Sequence, residues 1–173
     1  MIERIVVIAE NAYVRLFLIA LVFLAIQTTI LNEMRPFDVS LEIMVLLAAS
    51  AGLARGSEVG AIAGFMIGMM YDMVLTTPLG LGAAVFAIVG YLAGFVHSFV
   101  HEPTWWSRVI LGAVASGIGM ILMAGAIALV GTDGIFTTKV LTIALVVALF
   151  NAVFSVPTER LCRWAMTTEK VAL

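Results

Sequence analysis

Three sets of residues in this sequence have types and spacings that chemistry could use. Asp38 and Glu42 are carboxylates four residues apart at the head of an apolar run, a spacing that would place both on one side of a helix. His97 and His101 are also four apart with Glu102 adjacent, which is how two imidazoles on one helix approach a metal ion. Asp72 stands within an otherwise apolar segment, where an ionisable side chain is costly and therefore marks a function or a specific partner. None of the three completes a reaction centre. Pro103 follows the histidine pair at once and no further ligand lies at a suitable spacing, so no metal site is assigned. Asp38 and Glu42 sit where a helix macrodipole favours anions; they read as interfacial acids or, more sharply, as a contact surface for a partner outside the membrane. Asp72 falls within a turn of its segment's end, which favours hydrogen bonding at an inward or interfacial position over a proton relay.

The remaining polar residues add no reaction chemistry. Ser50, Ser98, Ser116 and Ser155 are isolated among small residues, where hydroxyls usually bond back to the preceding turn. There is no serine on a glycine-rich elbow, no paired carboxylate deep in adjacent segments and no phosphate-cradling loop ending in lysine, so neither a catalytic residue nor a cofactor is expected. The nine basic residues are scattered singly and the net charge is −2, which leaves no basic surface for nucleic acid. The single Cys162 excludes an intramolecular disulfide and a multi-cysteine metal site.

The elements that must position these residues are membrane helices. Of 173 residues 63% are hydrophobic and 12% charged, with mean hydropathy +1.16, far from the roughly one-quarter charged composition of soluble domains. The pattern predicts a single all-α membrane domain, a bundle of six transmembrane helices at about 14–31, 37–53, 58–75, 79–100, 109–130 and 136–156. Residues 1–15 form a charged lead-in, and the first apolar run, with no small-residue cleavage site after it, reads as a retained helix. Gln27, Thr28 and Thr29 near its far end are candidates for bonding to a neighbouring helix or to their own backbone. All four prolines are expected at or beyond segment ends, with Pro157 closing the sixth helix. Trp105 and Trp106 beside Arg108 read as interface anchors.

Everything turns on residues 55–94. Gly56, Gly60, Gly64 and Gly68 recur every fourth residue, and the next step of that period is Asp72. Glycines so placed lie on one side of a helix and would weaken it in water by up to about 1 kcal/mol each. In lipid they allow close backbone approach. Pro78 and Gly80 mark the turn, and Ala83, Ala87, Gly90 and Gly94 form a second small-residue stripe, so the third and fourth helices should make the tight centre. Six spans place both termini on one side, with Arg4, Arg15, Arg55, Arg108, Arg160, Arg163 and Lys170; Arg35 and Lys139 fall on the other. The positive-inside rule then puts both termini in the cytoplasm.

The motif GxxxGFxxGxxxD over residues 60–72, followed by PLGLG at 78–82 and GYLAG at 90–94, resembles the rod shape-determining protein MreD family. Pro36 and Asp38 before the second span and Arg55-Gly56 at the tight turn fit the same pattern. The resemblance implies a non-catalytic protein of the bacterial cytoplasmic membrane that associates with the bitopic protein MreC and, through it, with the elongation penicillin-binding protein, RodA and MreB, supporting peptidoglycan synthesis and rod shape. It also implies an architecture similar to the substrate-binding subunits of energy-coupling-factor vitamin transporters. Membership of that transporter class is the alternative reading; its outward pocket would have to use Asp38, Glu42 and Asp133. Such subunits commonly carry alanines four apart in the first span, whereas Ala20 and Ala25 are five apart. An assembly subunit of some other membrane complex is a third reading, and the sequence leaves monomer and homodimer both open.

Overall fold

The computed structural model describes residues 11–75, 78–99, 104–131 and 138–167. Six α-helices account for most of them: α1 (Ala12–Ile26), α2 (Ile43–Arg55), α3 (Ser57–Val74), α4 (Leu81–His97), α5 (Trp105–Leu129) and α6 (Thr138–Met166). A π-helical turn, Gln27–Leu31, prolongs α1, and a 3-10 turn, Pro36–Asp38, lies before α2. The apolar stretches Ala12–Leu31, Trp105–Leu129 and Lys139–Met166 are long and apolar enough to cross a membrane. This is an all-α membrane protein.

The helix α2 is the hub. Residues 43–53 are all buried, and α3, α4, α5, α6 and α1 each contact it. A helix apolar on every side can be enclosed in this way without exposing a polar face. Its neighbours show the complementary pattern, with buried residues toward α2 and Phe17, Leu18, Val22, Ile62, Phe65, Ile88 and Leu92 turned outward.

Backbone-to-backbone contact joins α2, α3 and α4. A Cβ on Gly60 would lie 2.6 Å from the Gly52 Cα and against the Gly90 carbonyl; one on Gly64 would strike the Phe86 carbonyl; one on Gly68 would lie 2.6 Å from the Ala83 Cα. From the other side, a Cβ on Gly94 would overlap the backbone of Gly56 and Ser57. The stripe from Gly60 to Gly68 therefore faces α4 along its length, and Gly52 of α2 enters the same contact. Gly56 itself makes the turn from α2 to α3 at φ +91°, a conformation open to glycine at little cost.

The helices share a level at one end and not at the other. Gly56 meets Gly94, Arg55 donates to the Met166 carbonyl and Arg15 to the Thr167 carbonyl at 2.6 Å, so this arginine-bearing end is roughly flush. From it α2, α3 and α4 extend only 13, 18 and 17 residues, or about 20, 27 and 26 Å at ~1.5 Å per residue. In contrast α5 and α6 have 25 and 29 residues, or about 38 and 44 Å.

Several boundaries depart from the sequence expectation. The second helix begins at Ile43 and not at 37, because Phe37 and Asp38 adopt left-handed φ of 55° and 65° and the chain is extended at Glu42. Asp38 and Glu42 are therefore not one helical step apart. The fifth helix starts at Trp105, taking the tryptophans into its first turn. The fourth ends at His97. Pro157 does not close the sixth helix, which continues to Met166. The lost hydrogen bond is tolerated because the helix beyond it is fixed by burial of Thr158, Glu159, Cys162, Ala165 and Met166, as happens where neighbouring helices support a proline in a membrane segment.

Two glycine-to-alanine changes should have opposite signs. Gly64→Ala forces its methyl against the Phe86 carbonyl and is expected to cost about 1–3 kcal/mol as overpacking. Gly117→Ala meets only the Ala148 Cβ at 3.5 Å and the Ala144 carbonyl at 3.6 Å. It should be neutral or stabilising by up to ~1 kcal/mol, the helix-propensity gain. Thermal unfolding of the purified proteins in mild detergent reads both.

Candidate functional site

A helix whose first turn lies inside a bundle exposes backbone N–H groups that water does not reach, and α2 and α4 both begin in such a place. Neither uses a conventional side-chain cap from its own N-cap residue. Each is capped from another helix. Gln27, 4% exposed, accepts from the Ile43 and Met44 N–H groups at 3.0 Å each through Oε1. Its Nε2 donates to Glu42 Oε2 at 2.5 Å. The π turn that starts at Gln27 is the kind of local irregularity found where a helix presents a side chain for a specific task. Thr28 stays local, its hydroxyl donating to the Leu24 carbonyl at 2.9 Å.

Glu42 joins two more elements to this cap. Its Oε1 accepts from the Tyr71 hydroxyl of α3 at 3.0 Å, and its backbone carbonyl accepts from Asn151 Nδ2 of α6 at 2.9 Å. Tyr71 also lies 5.2 Å from the Phe86 ring of α4, centroid to centroid. The next residue serves the other helix start. Asp72, 3% exposed, accepts from the N–H groups of Gly80 (2.9 Å), Gly82 (3.0 Å) and Ala83 (3.1 Å). Gly80 adopts φ +93° to bring the chain into α4. Gly82 is required as well, since a Cβ there would collide with Asp72 Oδ1. Pro78 is exposed in the approach to this turn. One end of α3 thus carries two adjacent polar residues, of which Tyr71 supports the start of α2 and Asp72 holds the start of α4.

At the opposite end the polar groups come from α5 and α6. Glu159, 2% exposed, is held by Arg163 Nη2 at 2.7 Å and Nε at 2.8 Å, with Arg108 Nε 3.6 Å away. This buried carboxylate lies beyond Pro157, in the turns that α6 adds past its expected end. Cys162 is buried against the Leu47 carbonyl at 3.9 Å.

The structure brings Gly60, Gly64, Gly68, Gly90 and Gly94 to one helix–helix contact, with Gly56 at its edge, and Asp72 and Gly80 to one cap. It separates Asp38 from Glu42. Asp38 is exposed, whereas both Glu42 carboxylate oxygens accept internal hydrogen bonds, so Glu42 is not an outward contact. Among the described residues no group of three histidine, cysteine or acidic side chains gathers as a metal site. His101, Glu102 and Asp133 lie outside the described residues, as do Arg4, Lys170 and the first ten residues. Gln27 was legible only as one of two alternatives, and Tyr71, Asn151 and Glu159 were missed. The signal for Asn151 was available, since it is the one asparagine in a long apolar run.

A family model described as rod shape-determining protein MreD matches residues 6–165. The chain belongs to the MreD family. No curated protein and no solved structure matches it. Membership places the protein in rod shape determination, and the match takes in all six helices almost to the end of α6. Within this MreD-family chain, Tyr71 bonds to the residue that precedes α2, and Asp72 to N–H groups at the start of α4.

The Asp72 cap gives a graded test. Asp72→Asn keeps a carbonyl oxygen that can accept two of the three N–H groups. Asp72→Leu leaves all three buried donors unmatched, at about 1–3 kcal/mol for each unsatisfied group. The leucine variant should lose most folded protein in detergent, with asparagine falling between it and the parent. Equal loss in both, by thermal unfolding, would indicate that the charge itself is required.

Proposed function

We propose that this MreD-family protein is a non-catalytic membrane adaptor of the bacterial cell-elongation complex. It would bind an MreC-like bitopic protein and through it support the elongation penicillin-binding protein, RodA and MreB in peptidoglycan synthesis. The observation that carries this reading is the family match over residues 6–165. The polar chemistry agrees with it, because Gln27, Glu42, Tyr71 and Asp72 are all engaged in holding helix ends. A residue so engaged serves architecture and is poorly placed to bind a small molecule. That weighs against the transporter-subunit alternative, whose pocket would need Glu42.

Orientation follows from charge. Arg15, Arg55, Arg108, Arg160 and Arg163 belong to the flush end of the bundle, whereas Arg35 and Lys139 belong to the other. The positive-inside rule favours a cytoplasmic flush end, with both termini there. The segment 32–41 then faces outward. Within it Phe37 is 86% exposed beside Asp38, and both residues hold left-handed backbone. A protruding aromatic ring on a strained turn is a suitable anchor for a partner, and this supports Phe37 and Asp38 as the proposed contact with the MreC-like protein.

Mass spectrometry of what accompanies the tagged protein out of its native membrane in mild detergent tests the reading. Recovery of a bitopic coiled-coil protein with cell-wall synthases is expected; recovery of paired ATPases with a coupling membrane subunit would overturn it. Phe37→Ser and Asp38→Lys, at exposed positions, should leave accumulation unchanged and reduce that recovery several-fold, each by at least ~1 kcal/mol as for an interface anchor.

A further inference from the structure

On the outer surface between α1 and α6 lies a groove of about 300 Å³. Its walls are the apolar side chains of Leu18, Val22 and Phe23 from α1 and Leu161 from α6, and its flush end is formed by Arg15 and Trp164. From Arg15 to Val22 it runs about 10 Å along α1. The mouth is open to the bilayer: Leu18 and Val22 are 55% and 57% exposed, and Trp164 is 63% exposed.

We propose that this groove is a binding site for an anionic phospholipid, with an acyl chain along Leu18, Val22 and Leu161 and the phosphate at Arg15. Charge complementarity selects the occupant. The guanidinium of Arg15 is fixed at the groove's end, donating to the Thr167 carbonyl at 2.6 Å and lying 5.9 Å from the Trp164 ring centroid. Arg160 is exposed one turn from Trp164, and Arg163 is partly exposed on the same stretch of α6. Arg15 and Arg160 set two cations at this end of the groove, and cations at headgroup depth attract a lipid with net negative charge over one whose phosphate is balanced by its own amine. The indole of Trp164 sits at the same level, where tryptophan prefers the interface. The site is independent of which protein partner the chain takes.

Tryptophan fluorescence tests it directly. The protein has three tryptophans, so Trp105→Phe with Trp106→Phe leaves Trp164 as the only emitter, placed in the groove. This protein is reconstituted in phosphatidylcholine vesicles into which acyl-brominated phosphatidylglycerol or acyl-brominated phosphatidylcholine is titrated. Phosphatidylglycerol should quench with a relative association about fivefold above phosphatidylcholine, the ratio for roughly one arginine at a membrane surface. Arg15→Gln should bring the ratio close to one, and Arg15→Lys should keep part of it. Arg160→Gln, on the exposed face, should lower the ratio without touching the α1–α6 contact, and carries the test if Arg15→Gln does not accumulate. Equal quenching by both lipids in the parent, an unchanged ratio in either glutamine variant, or no quenching by either lipid would overturn the proposal. The last outcome would mean that a protein segment covers the groove.

Discussion

Buried backbone donors at the starts of α2 and α4 are the constraint on which this bundle rests. In a soluble protein these N–H groups could turn to water or to a serine at the N-cap. Inside an apolar bundle each unmatched donor costs of order 1–3 kcal/mol, and the chain meets the demand with side chains from elsewhere in the sequence. Gln27 comes from the end of α1 and Asp72 from the end of α3. The caps are therefore tertiary contacts, and the helices they start cannot form fully until α1 and α3 are in place. Local helix formation and assembly of the bundle are one event at these two points.

The glycines make that arrangement geometrically feasible. For Asp72 to reach three N–H groups at the start of α4, the axes of α3 and α4 must run close, and Gly64 and Gly68 leave only backbone between them. The same closeness explains why Gly82 lies directly under the carboxylate it serves. Gly52 extends the contact into α2, so the central helix is drawn against both members of the pair. Tight packing and polar satisfaction are thus linked by distance: a side chain at Gly68 would move the acceptor away from its donors as well as separate two helices.

What the sequence made legible was everything with a short period. The six helices, the glycine step of four, the turn at Gly56 and the placing of Asp72 near the turn into α4 all follow from spacing within 20 residues or so. Long-range pairs were out of reach. Glu42 and Asn151 are separated by 109 positions, and no local rule indicates that an acid at an apparent helix start will turn inward to Gln27 and Tyr71. The left-handed Phe37 and Asp38 were hidden for a related reason, since nothing in their residue types requires positive φ. Pro157 misled because proline ends most helices, and here tertiary support beyond it prevailed. That single misreading concealed Glu159, which lies past the expected helix end and is enclosed between Arg108 and Arg163.

The unequal helix lengths give the molecule two different hydrophobic heights. On the side of α3 and α4 the outward residues Ile62, Phe65, Ile88, Tyr91 and Leu92 belong to helices of about 26–27 Å, less than the ~30 Å hydrocarbon core of a bilayer. On the side of α5 and α6 the helices exceed it. Lipid beside the first face must shorten or tilt, and lipid beside the second need not, at fractions of a kcal/mol for each ångström of mismatch. A short flank of this kind is met by local thinning of the bilayer, by snorkelling of flanking side chains or by association with another segment. A neighbour with a short membrane segment gains by approaching from the α3–α4 flank, so the protein has a preferred direction of approach within the membrane plane before any specific contact is made.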